Sequence, residues 1–250
     1  MGTLSEECPL VAIVGPTAAG KSELALQLAE HLDGEVVNCD SVQVYRGFDI
    51  GTGKIPLSER RGVPHHLLDV VDPGEVFTAG DFRARALEAL SEIRERGKLP
   101  IVVGGTGLYL RALLLGLFEG PKRSEALRAR FGALAERRGR EFLHRLLARL
   151  DRKAAARIHP RDTPKAIRAL EVRLLARQPM SEMLERGRTG LHGFRVLKAG
   201  LSPERRQLAP RINTRVERMF AAGLLDEARG MLERPDAAGI KSLGALGYRQ

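Results

Sequence analysis

Short apolar runs and stretches of helical period alternate along the first part of the chain. The apolar runs at 9–15 and 99–105 predict buried strands, and Val36 and Val37 mark another strand at 35–40. Leucines at every fourth position predict a helix over 21–32. This alternation is typical of an α/β fold built on a doubly wound parallel sheet.

The segment between the second and third strands predicts one helix and no metal site. Thr78 is expected to cap this helix with Asp81 reciprocating three residues later, and Gly97 to end it. Its apolar stripe consists of Phe82, Ala86, Leu90 and Ile93. His65 and His66 are adjacent, and consecutive strand residues point to opposite faces, so they are interpreted as core or loop residues rather than as ligands of one metal ion.

After residue 120 the pattern changes to arginine-rich helices. Helical period marks the segments 125–138, 141–150, 152–158 and 164–177. A strand pattern returns at 195–201, and two more helices follow at 211–222 and 225–233, where Pro210 is expected to break or kink the first. The chain is therefore predicted to have a core of residues 1–120 and 196–250 and an inserted all-helical domain of residues 121–195.

Positive charge is concentrated in the predicted insertion. Residues 121–195 hold 20 Lys and Arg against 8 Asp and Glu, whereas the rest of the chain holds 21 against 23. Such a block favours a polyanionic partner, and nucleic acid in particular, because neutralising phosphates releases counterions. Arginine used only as a solvated helix former is the alternative, which charge alone leaves open.

The remaining composition predicts a protein of the reducing cytoplasm. Cys8 and Cys39 show neither the CxxC spacing of a metal site nor a disulfide framework, and Cys39 is interpreted as a small buried strand residue. The chain opens without a basic and apolar leader, and no apolar run reaches membrane-spanning length. We expect a cytoplasmic monomer with no membrane partner.

The sequence GPTAAGKS matches the phosphate-binding loop GxxxxGK[ST] and lies between a predicted strand and a predicted helix. Backbone N–H groups of such a loop bind phosphate oxygens, Lys21 adds a positive charge, and the Ser22 hydroxyl is a candidate magnesium ligand. A diphosphate or triphosphate is the predicted ligand. The residues assigned to it are Gly15, Pro16, Thr17, Ala18, Ala19, Gly20, Lys21 and Ser22.

Two further polar residues follow predicted strands. Asp40 ends the second strand and Thr106 follows the third, and the carboxyl ends of parallel strands open on the same crevice as the phosphate loop. A carboxylate at this place can hold the water of a metal ion or accept a proton from a nucleophile. The alternative to these functional roles is a structural one, in which Asp40 forms a turn and Thr106 caps a helix.

Several motifs in the same order resemble the tRNA dimethylallyltransferase (tRNA isopentenyltransferase) family. They are GPTAAGKS, DSVQVYRGFDIGTGK, VPHHLLDVVDP, VGGTGLYLRALL, IHPRDTPKAIRALEV, RINTRVERMFAAGL and LGYRQ. The resemblance implies transfer of a prenyl group from dimethylallyl diphosphate to the exocyclic amine of the adenosine beside the tRNA anticodon, with Mg2+. It also implies that bacterial relatives continue past Gln250, so that this sequence is a C-terminally truncated one.

The resemblance also implies a role for individual residues of this sequence. Asp40 corresponds to the general base, Thr106 and Arg215 to further catalytic residues, and Ser22, with Thr106, to the metal site. Contacts with tRNA are implied for Asp40, Ser41, Val42, Gln43, Thr106, Arg128, Pro164, Lys165, Ala166, Ile167 and Arg168.

Two other functions remain open at this point. A small-molecule P-loop kinase would use the same loop, although it gives no reason for the basic insertion. A tRNA-binding protein without activity would keep the insertion and lose turnover.

Overall fold

The computed structural model describes residues 7–244 and 248. Its contacts divide the chain into two compact units, Met1–Leu114 with Leu191–Gln250, and Leu115–Gly190. The boundaries predicted for the insertion, 121–195, lie a few residues later, and the assignment of a binding function to each part stays a prediction. No helix among the described residues is long and apolar enough to cross a bilayer.

The first unit is built on a five-stranded parallel sheet in the order β3-β2-β4-β1-β5. The strands are β1 Cys8–Val14, β2 Gly34–Asn38, β3 His65–His66, β4 Leu99–Val103 and β5 Phe194–Gly200. The helices of this unit are α1 Lys21–Leu32, α2 Ala79–Glu95, α3 Gly107–Leu115, α9 Arg205–Ala221 and α10 Leu224–Leu232. The doubly wound α/β fold predicted from the sequence is confirmed.

The central strands are apolar along their length because helices cover both faces of the sheet. Leu10 and Ala12 of β1 pack in one core cluster with residues of α2 and α3, and Val11 and Ile13 pack in another with residues of α1. The predicted capping box of α2 is also confirmed, since Thr78 and Asp81 exchange hydrogen bonds between side chain and backbone.

Two local features differ in part from the sequence predictions. His65 and His66 form the short strand β3, paired with Val36 and Val37 of β2. The helix predicted to begin at Arg211 begins at Arg205 and continues through Pro210, so the proline does not break it. The missing N–H of Pro210 removes only one of the helix's hydrogen bonds.

The second unit is helical in its described secondary structure. It contains α4 Glu125–Arg138, α5 Arg140–Leu150, α6 Arg152–Arg157, α7 Thr163–Ala176 and α8 Met180–Glu185. Its own core joins apolar residues of α4, α5, α6 and α7, among them Phe131, Leu143, Leu147 and Leu170.

Candidate active site

The order of the strands brings the three predicted site segments together. β4 lies between β1 and β2, and the carboxyl ends of these strands lead into residues 104–106, into the phosphate loop and into Cys39 and Asp40. The Cys39 N–H donates to the Val103 carbonyl at 2.8 Å, and the Gly104 N–H to the Ile13 carbonyl at 3.3 Å. The ends of all three strands are therefore held in register beyond the sheet itself.

Glycine is required at position 104 by the close approach of two backbones. A Cβ built on Gly104 would overlap the carbonyl oxygen of Cys39. Thr106, two residues later, donates its own N–H to that carbonyl at 3.2 Å. Gly104 thus permits the contact that fixes the segment before α3 against the segment that carries Asp40.

The phosphate loop ends at the N-terminus of α1. Gly20 has a φ of 87° and precedes the first residue of the helix, Lys21. Lys21 Nζ donates to the Pro16 carbonyl at 2.8 Å, so the lysine folds back over the loop. Burial and the neighbouring Arg215 lower the pKa of Lys21, and Asp40 opposes the shift. A helix N-terminus with a lysine beside it is a ready anion site.

Asp40 is half-buried and its carboxylate shapes its own turn. Its Oδ1 accepts hydrogen bonds from the backbone N–H groups of Val42 at 2.9 Å and Gln43 at 3.3 Å. The turn-forming role considered from the sequence is therefore present, and both bonds use the same oxygen. They hold the carboxylate in one orientation.

Thr106 stabilises the same turn from the neighbouring strand end. Its Oγ1 accepts from the Ser41 N–H at 3.0 Å and lies 3.3 Å from Ser41 Oγ. Its carbonyl accepts from the N–H groups of Tyr109 and Leu110, which begins α3. The hydroxyl of Thr106 is thus engaged with the Asp40 turn.

A cavity of about 120 Å³ lies at the carboxyl edge of the sheet. Its polar lining combines the phosphate loop with the Asp40 turn and α9, through Thr17, Lys21, Ser22, Asp40, Gln43 and Arg215. Its apolar lining includes Val36, Ile55, Leu68 and Val103. A larger cavity of about 880 Å³ shares Lys21, Ser22 and Arg215 with it, so the phosphate loop borders both.

Arg215 reaches this cavity from α9. Its guanidinium donates to the Thr52 carbonyl at 2.8 Å, and the side-chain amide of Gln43 donates to the same carbonyl at 3.1 Å. Burial lowers the pKa of Arg215, and the nearby Asp40 opposes this effect. The cavity therefore has two cations and one anion on its walls.

Several lining residues were absent from the sequence predictions. Thr52 and Gly53 line the cavity from the segment FDIGTGK, Ile55 lines it just after that segment, and His65 lines it from β3. His65 Nδ1 lies 2.9 Å from the Val63 carbonyl, which can only accept a hydrogen bond, so this nitrogen carries the proton. The two glycines of FDIGTGK were the available signal, because they indicate close backbone approach.

The oxygen donors of the cavity suit a magnesium ion bound mainly through a ligand's phosphates. The described residues contain no cluster of three His, Cys, Asp or Glu side chains able to hold a metal by themselves. Ser22 and Asp40 nevertheless line one cavity, and Mg2+ is commonly held by one or two such oxygens together with phosphates and water. The residues present therefore fit this metal.

The second unit joins two predicted tRNA contacts through one buried carboxylate. Glu171 Oε1 lies 3.2 Å from Arg128 Nε, and Glu171 Oε2 lies 2.7 Å from an Arg168 nitrogen. The Ser124 N–H also donates to Oε1 at 2.7 Å. Burial raises the pKa of Glu171, but the bonds from Arg128 and Arg168 outweigh it and leave the pKa lowered.

The other predicted tRNA contacts of this unit differ in exposure. Pro164 lies in the first turn of α7, and Lys165 is exposed and paired with Asp162 at 2.6 Å. Ala166 and Ile167 are buried in the core of the unit. Their side chains are therefore part of the packing of α7.

The fold and the GPTAAGKS loop define a P-loop α/β protein, and the cavity at the carboxyl edge of its sheet is the candidate phosphate site. Residues 43–250 match the family model described as IPP transferase. The chain is 56% identical over 242 residues to a tRNA dimethylallyltransferase of Solibacter usitatus, an alignment that covers 97% of this chain and 78% of the relative. The chain belongs to the IPP transferase family, in which prenyl transfer generally uses a divalent metal ion.

Solved structures are similar over most of the chain. The full-length tRNA isopentenylpyrophosphate transferase of Bacillus halodurans is 43% identical with a TM-score of 0.63, covering 96% of this chain and 75% of that one. A eukaryotic dimethylallyltransferase acting on tRNA is 33% identical with a TM-score of 0.78, covering 90% and 56%.

Proposed function

We propose that this protein transfers a dimethylallyl group from dimethylallyl diphosphate to the N6 amine of the adenosine adjacent to the anticodon in tRNA and releases diphosphate. The observation that carries the proposal is the single cavity lined by Lys21 of the phosphate loop and by Asp40. An anion site and a proton acceptor are the two groups that this reaction needs. The family of the chain supports the same reaction and disfavours the small-molecule kinase.

The phosphate loop and Arg215 stabilise the leaving group. As the bond between the allylic carbon and the diphosphate oxygen breaks, negative charge grows on that oxygen and positive charge on the carbon. Lys21 and Arg215 line the cavity, and α1 begins at Lys21, so we assign these two cations and the N-terminus of α1 to the growing negative charge. Their partial burial strengthens this interaction because less water screens it.

Asp40 accepts the proton that the amine loses. The lone pair of the adenosine N6 forms the new C–N bond, the allylic C–O bond gives its electron pair to diphosphate, and one N–H proton passes to the carboxylate. Since Oδ1 accepts the backbone bonds from Val42 and Gln43, we assign the proton to Oδ2. Thr106 supports this step through Ser41.

We propose that Ser22 and the phosphate oxygens of the substrate would hold Mg2+. Asp40 lines the same cavity as Ser22, and the Thr106 hydroxyl is hydrogen-bonded to the turn that carries Asp40. When bound, the metal adds positive charge against the diphosphate. The protein's own residues supply the remaining interactions with the leaving group.

The basic helical unit supplies affinity for tRNA. Arg128, Lys165 and Arg168 lie on helices that carry a surplus of positive charge, and such residues bind phosphates independently of sequence. The reacting base must leave its stack, which costs less in a single-stranded loop than in a duplex. Because its substrate is tRNA, we expect the protein to act in the cytoplasm.

Incubation with unmodified bulk tRNA, dimethylallyl diphosphate and Mg2+, followed by nucleoside mass analysis, tests the proposal. The expected product is adenosine heavier by one dimethylallyl group, formed with one equivalent of diphosphate. Phosphate transfer from labelled ATP to a small metabolite would instead identify a kinase. Salt-sensitive tRNA binding without any product would identify a protein that only binds tRNA.

A further inference from the structure

Glu227 of α10 accepts hydrogen bonds from three consecutive backbone N–H groups of a distant loop. Its Oε2 lies 2.9 Å from the Asp49 nitrogen and 2.8 Å from the Ile50 nitrogen, and its Oε1 lies 3.0 Å from the Gly51 nitrogen. The Tyr248 hydroxyl donates to Oε1 as well. One carboxylate therefore binds the whole turn at 49–51.

The same loop supports Arg215 one residue later. The Thr52 carbonyl accepts the hydrogen bond of the Arg215 guanidinium, and a Cβ built on Gly53 would overlap that guanidinium. Thr52 and Gly53 themselves line the cavity that holds Lys21 and Asp40. The backbone at 52–53 is thus the surface against which Arg215 is placed.

The loop also connects to the Asp40 turn. Gln43 donates its side-chain amide to the Thr52 carbonyl and its backbone N–H to Asp40 Oδ1. On its other side the loop is held by Lys54, which pairs with Asp49 at 2.5 Å and with Asp69 at 2.6 Å. A displacement of residues 49–52 would therefore move Arg215 relative to Asp40.

We infer that Glu227 is a positioning residue for Arg215, acting through the loop at 49–52. The inference rests on the proposed function, because it gives Arg215 its place against the leaving diphosphate. Glu227 itself contacts no reacting atom in this account. Its carboxylate accepts hydrogen bonds from three backbone N–H groups of the loop. These bonds fix the Thr52 carbonyl, which accepts the hydrogen bond of the Arg215 guanidinium.

The test compares Glu227→Gln with wild type in the prenyl-transfer assay. Glutamine keeps the size of the side chain but presents an NH2 group to some of the loop N–H groups, so part of the turn loses its acceptor. We expect kcat to fall by about 10- to 100-fold, the scale of a small misplacement of a reacting group, with KM for tRNA unchanged. Asp226→Asn, one residue away and paired only with the exposed Arg229 among the described contacts, is the matched control and keeps the wild-type rate.

A double-mutant cycle separates positioning from general stabilisation. If Glu227 acts through Arg215, Glu227→Gln has little further effect on kcat in an Arg215→Ala background. Additive losses would overturn the inference, as would a wild-type kcat for Glu227→Gln. Should Glu227→Gln fail to fold, Glu227→Asp, which keeps the charge with a shorter reach, is carried through the same cycle.

The wild-type arm distinguishes this inference from the proposed function. A wild-type protein that forms no prenylated adenosine would contradict the proposed function and, with it, the inference. An active wild type with an unaffected Glu227→Gln variant would overturn the role of Glu227 alone.

Discussion

The hydroxyl oxygen of Thr106 accepts a hydrogen bond from the backbone N–H of Ser41 at 3.0 Å. This bond crosses from the end of β4 to the end of β2, and it holds the residue directly after Asp40. A threonine that the sequence offered as a helix cap therefore also orders the turn on which the proposed base depends.

Removal of this hydroxyl is expected to slow prenyl transfer without abolishing it. Thr106→Val keeps the shape of the side chain and loses the acceptor, so we expect a loss of about 1 kcal/mol in the free energy of unfolding and a similar rise in the activation barrier. Thr106→Ser, which retains the hydroxyl, should restore the rate. Urea unfolding and steady-state kinetics of both variants measure this, and a Thr106→Val enzyme as fast as wild type would contradict it.

Lys21 is expected to give diphosphate binding an alkaline limit. Burial and Arg215 lower its pKa from the ordinary value of 10.5, so its positive charge is lost as pH rises through that lowered value. Diphosphate affinity should therefore fall at a lower pH than for an ordinary lysine. Lys21→Arg keeps its charge across this range, so its diphosphate affinity should not show this fall, whatever its level at pH 7.

Calorimetric titration with inorganic diphosphate between pH 7 and pH 10 measures the difference between the two proteins. Diphosphate itself titrates in this pH range and affects both proteins equally. Only the difference between the two affinity curves therefore reports the titration of Lys21. Lys98→Met, at the opposite end of β4, is a control that should leave binding unchanged. Parallel curves for wild type and Lys21→Arg would remove Lys21 from the site.

Arg128 and Arg168 are expected to bind phosphates of the tRNA backbone. Neutralisation of either, as Arg128→Gln or Arg168→Gln, should weaken binding and reduce the slope of log K against log salt by about 0.7 to 0.9 for each phosphate that is no longer neutralised. Fluorescence anisotropy with labelled tRNA over a salt series gives this slope. Arg229→Gln, an exposed substitution in the other unit, should leave it unchanged. Equal slopes for all proteins would show that Arg128 and Arg168 serve only the ion pair with Glu171 and do not bind phosphates.

Glu171 is expected to make the stability of the helical unit sensitive to acid. Its pKa is lowered in the folded state, so its contribution is complete above its unfolded pKa and is lost as pH falls through the lower folded pKa. Breaking such a buried ion pair costs about 3–5 kcal/mol, because Arg128 and Arg168 lose their shared partner. In urea unfolding, Glu171→Gln should lower the free energy of unfolding by that amount at pH 7. It should also make this free energy depend less on pH between pH 3 and pH 7. A free energy of unfolding equal to that of wild type at both pH 3 and pH 7 would contradict this role.

The features that could be predicted from the sequence are those formed by residues that are contiguous in the chain. The phosphate loop is one motif, and Asp40 and Thr106 follow runs that predict strands, so parallel pairing alone brings them to one edge. β3 escaped prediction because two histidines give no readable period.

The connections made by tertiary contacts lie beyond such patterns. Arg215 meets Thr52 across 163 residues, and Glu227 meets Ile50 across 177. The ion-pair role of Glu171 was not predicted either. In the sequence, a buried glutamate on α7 cannot be distinguished from any other helix residue until its arginine partners are known. The position of a residue at the end of a strand predicts at which edge of the sheet it lies. Which side chains from distant segments contact that edge is determined only by tertiary packing.

The rate of prenyl transfer by Asp40→Asn tests the central claim most directly. Asparagine keeps an acceptor for the N–H groups of Val42 and Gln43 but cannot take up the amine proton, so we expect product formation to fall by about 10² or more while the affinities for tRNA and diphosphate remain close to wild type. Asp33→Asn, on an exposed pair with Lys98, is the matched control. Prenylated adenosine formed at the wild-type rate by Asp40→Asn, measured by nucleoside mass analysis, would contradict the account.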